Sequence, residues 1–162
     1  MSYKIELVKK EDAEAMLAYL KQVGSETDYL LFDARGVPMS LAQEEAFLDN
    51  VNQSPNSRMF VAKEKDVIIG NAYIHSNPRE RIQHKAEIAI SVLQSHWNKG
   101  VGSRLMETIL DFAKSTPFME TNYLEVATTN AAAIRLYQKF GFETYGVNKK
   151  AIKLDKDTYL DW

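Results

Sequence analysis

The stretch HWNKGVGSRLM (residues 96–106) carries two glycines at the start of an apolar helical pattern. A Walker phosphate loop is excluded, because Val101 follows Gly100 where that loop requires a lysine and then Ser or Thr. A dinucleotide fingerprint is excluded as well, since it needs a small residue three positions after Gly102, and Leu105 stands there. Free amides at a helix start, with glycine allowing close approach, still favour an anion. The stretch predicts an anion cradle, and its ligand must be identified from the rest of the chain.

The composition indicates one globular unit without a polymer-binding charge pattern. The 162 residues suit a single domain, residues 1–162, and 20 basic and 22 acidic side chains give a formal net charge of -2. This balance argues against a nucleic-acid surface built on a general positive field. The absence of cysteine excludes disulfides and a thiol nucleophile. No apolar run approaches the ~18 residues of a membrane span, so we expect a cytoplasmic protein without a membrane partner.

Hydrophobic periodicity predicts the element order β-α-α-β-β-β-α-β-α-β-β. The predicted strands are YKIELV (3–8), RMFVAKE (58–64), DVIIGNAYIHS (66–76), KAEIAISVL (85–93), NYLEVA (122–127), ETYGV (143–147) and KAIKL (150–154). The predicted helices are 10–23, ending at Gly24, then 40–51, a segment from Gly100 to about Lys114, and 130–140, stopped by Gly141. A central strand-helix-strand unit requires a parallel pair, so the fold class is α/β with a mixed sheet.

Two segments resemble motifs of the GNAT family of acyl-CoA-dependent N-acetyltransferases, and the resemblance covers nearly the whole chain. VLQSHWNKGVGSRLM (92–106) is similar to the family's pyrophosphate-binding pattern, with Trp97 where the family has Gln or Arg. NAAAIRLYQKFGF (130–142) is similar to a later and more specific motif, which it matches at Asn130, Ala133, Leu136, Tyr137, Gly141 and Phe142. The resemblance implies a GNAT-like mixed, mostly antiparallel sheet with helices on both faces. Its parallel strands EIAISVL and YLEVA would splay apart to admit the cofactor.

The cofactor implied by the resemblance is acetyl-CoA. Its pyrophosphate would be held by amides of the loop and first helical turn, namely Asn98, Lys99, Gly100, Val101, Gly102 and Ser103. Backbone groups of Ser91 and Val92 would pair with the pantetheine arm like an added strand. Trp97 cannot bring a polar side chain to the phosphate, but the cradle depends mainly on backbone amides, so binding should survive. Lys99 and Arg104 are nearby to supply positive charge.

Two side chains are candidates for the chemistry, which needs a neutral amine and a proton for the departing thiolate. The resemblance implies that Tyr137, a phenol with an ordinary pKa near ~10, protonates the thiolate. Asn130 lies seven residues earlier, about two helical turns, so both should point toward the gap from one helix face. Glu87 is the candidate base for the amine proton. A packing role for Tyr137, and a simple ion pair of Glu87 with Lys85 or Arg81, are the alternatives.

The resulting hypothesis is direct transfer of an acetyl group from acetyl-CoA to a primary amine in a ternary complex. The acceptor is a small amine or a protein N-terminus, and the loop at 24–39 and the final hairpin near 145–150 would surround it. The three histidines lack metal-ligand spacing, so no metal is expected. A non-catalytic acyl-CoA-binding or sensing module is the alternative, and it would have no need for Tyr137. The oligomeric state is left open, with a homodimer as one possibility because many proteins of the family dimerise.

Overall fold

The computed structural model describes residues 2–162, and its elements follow the order predicted from the sequence. They are β1 (Tyr3–Leu7), α1 (Ala13–Glu26), α2 (Leu41–Val51), β2 (Ser57–Glu64), β3 (Val67–Ser76), β4 (Lys85–Val92), α3 (Val101–Ser115), β5 (Thr121–Tyr123), α4 (Ala131–Lys139), β6 (Ile152–Lys153) and β7 (Tyr159–Leu160). Short 3-10 turns at Lys10–Asp12 and Gln94–His96 precede α1 and the glycine loop.

The central sheet has the order β1-β2-β3-β4-β5. The first four strands are antiparallel neighbours, and β5 pairs with β4 in the parallel direction. The predicted mixed, mostly antiparallel sheet is therefore confirmed. The parallel pairing is short, because its register runs only from Lys85 opposite Thr121 to Glu87 opposite Tyr123.

Helices cover both faces of the sheet. Leu105 of α3 lies against Gly70 of β3, and Gly70 pairs with Val92 of β4. Tyr19 of α1 forms a hydrogen bond with the side chain of Ser91, the residue directly before Val92. Adjacent strand residues point to opposite faces, so α3 and α1 lie on opposite sides. The side of α3 that faces the sheet is fully apolar: Val101, Leu105, Met106, Ile109 and Ala113 are at most 2% exposed. This packing anchors the glycine loop to the end of β4.

Helix α1 does not end at Gly24, as the sequence predicted, but continues to Glu26. Gly24 is buried within the helix, where a Cβ would collide with the backbone carbonyl of Asp33. The glycine therefore allows the following loop to pack against α1 and does not cap the helix. Helix α2 begins as predicted at Ser40, whose hydroxyl accepts from the Gln43 amide while the Gln43 side chain accepts from Ser40.

The predicted strand at 143–147 is wrong, and the predicted strand at 150–154 is shortened to β6. Residues 143–147 are exposed or nearly so and form no strand, and the partner of β6 is the later strand β7. Between them, the Asp155 carboxylate accepts from the amides of Asp157 and Thr158 and so forms the turn. The motif that forms this turn, DKDT (155–158), was not identified from the sequence. The strand predicted at 122–127 is likewise only Thr121–Tyr123.

Candidate active site

The glycine loop ends at Gly100, which has φ +81° and forms the N-terminal boundary of α3. Such a left-handed conformation is strained for residues with a side chain. Within residues 2–162 no side chain caps this helix end. The first helical bond is made by the Arg104 amide to the Gly100 carbonyl, which leaves the amides of 101–103 outside the helical ladder. An uncapped helix start of this kind offers three donors and a positive dipole end to an anion.

Gly102 serves a different purpose from Gly100. It lies inside the first turn of α3, and a Cβ there would stand 3.3 Å from Leu136 of α4 and 4.0 Å from Val92. The absence of a side chain therefore lets α4 and the end of β4 approach the cradle. The two motifs that were quoted from distant parts of the sequence meet at this contact.

Trp97 ties the glycine loop to β4. Its indole N–H donates to the Val92 carbonyl at 2.8 Å, while 46% of the residue remains exposed. Asn98, next in the loop, has φ +59° and turns the chain toward Gly100. Trp97 thus replaces a polar phosphate-facing side chain with a fixed loop anchor.

One cation beside the first turn of α3 was not predicted from the sequence. Lys139 of α4 places its Nζ 3.4 Å from the Ser103 hydroxyl. Lys99 instead donates to the Ser95 carbonyl at 2.8 Å, and Arg104 lies over the Tyr3 ring at 5.4 Å, on the opposite edge of the sheet. Its position could have been inferred from spacing, because Lys139 follows Leu136 by one helical turn and therefore lies on the same face of α4.

An open edge of β4 adjoins the cradle. Pairing with β5 ends at Glu87, but β4 continues to Val92, so among residues 2–162 no strand pairs with the last residues of β4 on that side. The Leu93 amide donates to Ile69 on the β3 side. Backbone groups alternate in direction along an antiparallel strand, so those of Ser91 also face β3 and those of Ile90 and Val92 face the gap.

This register bears on Ser91, which was expected to pair with the pantetheine arm. The register turns its backbone toward β3, and its side chain belongs to a partly buried chain of hydrogen bonds. The Ser91 hydroxyl donates to Asn71 at 2.7 Å and accepts from the Tyr19 hydroxyl at 2.8 Å. Burial raises the pKa of Tyr19 well above its ordinary value, so this phenol stays protonated. These linked hydrogen bonds fix the end of β4 against α1 and β3.

Glu87 lies at the point where β4 and β5 separate. Its partner is His75 of β3, whose Nε2 is 3.2 Å from Glu87 Oε1, and neither Lys85 nor Arg81 forms the ion pair considered from the sequence. Lys85 instead places its Nζ 5.2 Å from the centre of the Tyr123 ring. His75 stacks on Tyr73 with ring centres 5.1 Å apart. No spacing in the sequence identifies this pairing, because it depends on the β3–β4 register.

Helix α4 carries the other two predicted residues. The Asn130 side chain accepts from the Ala133 amide at 3.3 Å and so caps α4, which occupies the oxygen that had been expected to face the gap. Tyr137 follows Leu136, the residue that contacts Gly102, and its ring meets Phe142 edge-on with centres 6.1 Å apart. Burial raises the pKa of Tyr137 to about 12, above the ordinary phenol value.

Two further features are absent from the described part of the chain. Between residues 2 and 162 there is no helix with the length and apolar character needed to span a bilayer. Over the same residues, no three His, Cys, Asp or Glu side chains are grouped as a metal ion would need.

Comparison with known proteins gives a consistent family match. Residues 27–142 match the model of the acetyltransferase (GNAT) family. An L-amino acid N-acetyltransferase, AaaT, of Escherichia coli is 34% identical over 66% of this chain and 65% of its own length. The N-alpha-acetyltransferase RimI of Mycobacterium tuberculosis is 31% identical over 60% of this chain and 59% of its own. The matched segments thus span less than two thirds of these relatives.

Solved structures match over nearly the full chain. The crystal structure of a GNAT-family acetyltransferase from Streptococcus pneumoniae has a TM-score of 0.94 at 29% identity, covering 99% of this chain and 95% of that one. The structure of YncA, a putative acetyltransferase from Salmonella typhimurium with its cofactor acetyl-CoA, has a TM-score of 0.83 at 21% identity, covering 99% and 90%. At that identity, the second likeness concerns the fold.

Proposed function

The chain belongs to the acetyltransferase (GNAT) family, and on that premise we propose that it transfers an acetyl group from acetyl-CoA to a primary amine. One observation carries the proposal: the uncapped start of α3 at Gly100 adjoins the open edge of β4. A pyrophosphate needs free amides, and a pantetheine arm needs an unpaired strand edge. Residues 1–162 would act as one domain in this reaction.

The cofactor would bind mainly to the backbone. Amides of Val101, Gly102 and Ser103 would hold the pyrophosphate, with Lys139 supplying positive charge close to Ser103. The neighbouring residues Asn98, Lys99 and Gly100 would shape the loop. The gap-facing backbone groups of Ile90 and the amide of Val92 would pair with the pantetheine arm, in place of Ser91, while the Val92 carbonyl keeps its hydrogen bond from the Trp97 indole. Asn130 would act by capping α4 and not by a direct side-chain contact.

The reaction would proceed by direct attack of the amine on the thioester carbonyl. As the N–C bond forms and the C–S bond breaks, Glu87 would take the amine proton, and Tyr137 would give its phenolic proton to the thiolate. Solvent would then restore both groups. Since the chain has no cysteine, an acetyl-thiol enzyme intermediate is excluded, which favours a ternary complex.

The acceptor would approach along the α1 and α2 side of β4, where Glu87 and Tyr73 are partly open. The Tyr29 hydroxyl donates to the Thr129 carbonyl at 3.3 Å and ties the loop between α1 and α2 to the start of α4. Relatives named for an L-amino acid and for protein N-termini support the class of primary amines. We therefore keep small amines and protein N-termini together as the proposed acceptor class.

A non-catalytic acyl-CoA-binding module has less support, because the relatives carry N-acetyltransferase names. The two proposals differ in one property: only the enzyme releases CoA when an amine is added. We place the reaction in the cytoplasm, since acetyl-CoA is too highly charged to cross a bilayer unaided. A homodimer stays a prediction, which the molecular mass in solution would test.

Acetyl-CoA should stabilise the folded protein. A ligand at about 100 times its dissociation constant adds roughly 2.7 kcal/mol to the free energy of unfolding. The measurement is the thermal unfolding midpoint with and without acetyl-CoA. An unchanged midpoint at saturating acetyl-CoA would contradict the cofactor assignment.

Two glycine substitutions extend that experiment, Gly102→Val as the test and Gly146→Val as its matched control. Gly102→Val places methyl groups between the first turn of α3 and Leu136 and should remove the stabilisation by acetyl-CoA. Gly146→Val, where a Cβ would meet no atom of the described residues within 4 Å, should retain it. Native circular dichroism of both variants separates lost binding from lost folding.

Trp97→Phe should raise the dissociation constant of acetyl-CoA about 2- to 10-fold, because a hydrogen bond has a net value of about 0.5–1.5 kcal/mol. The phenylalanine keeps a ring but removes the N–H that donates to Val92. Isothermal titration calorimetry measures the change. The control is Trp162→Phe, since the Trp162 Nε1 has no hydrogen-bond partner among residues 2–162. Equal affinity of the two variants would mean that the Trp97 anchor does not support the cradle.

A further inference from the structure

His75 and Glu87 face each other across β3 and β4. They are direct partners in the antiparallel register, and Nε2 of His75 lies 3.2 Å from Oε1 of Glu87. Their side chains are 44% and 32% exposed, so both reach the open face where an acceptor would arrive. The pair is therefore an exposed hydrogen bond at the point where β4 and β5 part.

The imidazole ring of His75 is held by packing on the side away from Glu87. Tyr73 lies two residues earlier on the same face of β3, and the two rings stack 5.1 Å apart with an interplanar angle of 24°. Phe47 of α2 meets Tyr73 edge-on, with centres 6.1 Å apart. This row of rings from α2 to β3 limits the rotation of His75 and directs Nε2 at the carboxylate.

The other titratable groups around Glu87 are phenols and one ammonium. Burial first, and the charge of Glu87 second, raise the pKa of Tyr73 and of Tyr123, so both phenols remain neutral. Lys85 lies on the same strand and places its ammonium over the Tyr123 ring. His75 is the group in direct hydrogen-bond contact with the carboxylate.

We propose that His75 is a positioning residue for Glu87, an inference that rests on the proposed acetyl transfer. Its Nε2–H donates to Oε1 and holds the carboxylate in one rotamer. The second oxygen, Oε2, is then the atom that accepts the amine proton, directly or through one water. The tautomer is fixed by this geometry, since a carboxylate can only accept.

His75→Phe tests this role, because it keeps a ring that can stack on Tyr73 and removes the donor. The loss of a hydrogen bond to a charged group predicts a fall of about 10-fold in kcat. The KM for acetyl-CoA should not change. His75→Gln, whose amide can donate, should restore most of kcat. If glutamine is no better than phenylalanine, the donor is not what matters and the proposal is overturned.

A double-mutant cycle separates positioning from packing. If His75 acts through Glu87, adding His75→Phe to Glu87→Gln should change kcat by less than about 2-fold, because coupled residues are not additive. A full additional 10-fold loss would mean that His75 acts independently of Glu87, which contradicts the proposal.

A spectroscopic measurement without acceptor distinguishes failure of this inference from failure of the proposed function. Long-range ¹H–¹⁵N spectra of the neutral His75 ring should show the proton on Nε2 in the wild type. In Glu87→Leu the Nε2–H fraction should fall toward the mixture of both tautomers that a free neutral imidazole shows in water. A proton on Nδ1 in the wild type overturns the inference, even if acetyl transfer is observed. If no amine is acetylated but the Nε2–H tautomer depends on Glu87, the pairing holds and the proposed function fails.

Discussion

Replacement of Tyr137 by phenylalanine is expected to lower kcat about 10²- to 10⁴-fold, the usual contribution of general acid catalysis. Acetyl-CoA affinity should hardly change, because the hydroxyl would act only as the thiolate leaves and therefore stabilises the transition state alone. The aromatic ring, which packs edge-on against Phe142, is retained. Steady-state kinetics together with calorimetric titration of acetyl-CoA measure the two effects. The control is Tyr3→Phe, on the far edge strand of the sheet.

The raised pKa of Tyr137 makes a prediction about pH. An acid is active while it is protonated, so with a pKa of about 12 it keeps its proton throughout the neutral and mildly alkaline range. Turnover should therefore show no alkaline decline due to Tyr137 up to about pH 10. Burial makes this phenol a weaker acid than an ordinary phenol. If Tyr137→Phe turns over at the wild-type rate under conditions where chemistry limits the rate, Tyr137 is a packing residue and not the acid.

Glu87→Gln is the second substitution with a large expected effect. The amide cannot accept the amine proton as a base, so kcat at neutral pH should fall about 10²- to 10⁴-fold. The amide has nearly the shape of the carboxylate and still accepts from His75 through its oxygen, so the fold and acetyl-CoA affinity should be retained. The measurement is the initial rate at saturating acetyl-CoA across a range of pH.

A matched glutamate provides the control for that variant. Glu107 is exposed on α3, away from the gap, and Glu107→Gln should retain full activity. If Glu87→Gln behaves like Glu107→Gln, the amine proton leaves by another route, and Glu87 belongs to the structural hydrogen bond with His75 only.

The order of the elements was predictable because each long element has a clear period. Helix α3, for example, buries Val101, Leu105 and Ile109 at helical spacing. Predictions were wrong where a glycine or a short turn is compatible with two different local structures. Gly24 looked like a helix end, and its actual role depends on a loop carbonyl nine positions away in the sequence, that of Asp33.

The candidate site was predictable where it depends on local backbone and unpredictable where it depends on strand register. The position of the cradle followed from two glycines and a helix start. The direction of the Ser91 backbone, by contrast, is set by which residues of β3 it pairs with. The same register joins His75 to Glu87, twelve positions apart, and no sequence spacing identifies such a cross-strand pair.

The central claim is that acetyl-CoA and a primary amine react on this protein. The most direct measurement is an incubation of the wild type with acetyl-CoA and a panel of primary amines and N-terminal peptides, with mass spectrometry of each amine and quantification of free CoA. The account predicts at least one amine that gains a single acetyl group, in equal amount to the CoA released. If acetyl-CoA binds but CoA release never depends on an amine in such a panel, the result contradicts the account and indicates an acyl-CoA-binding module.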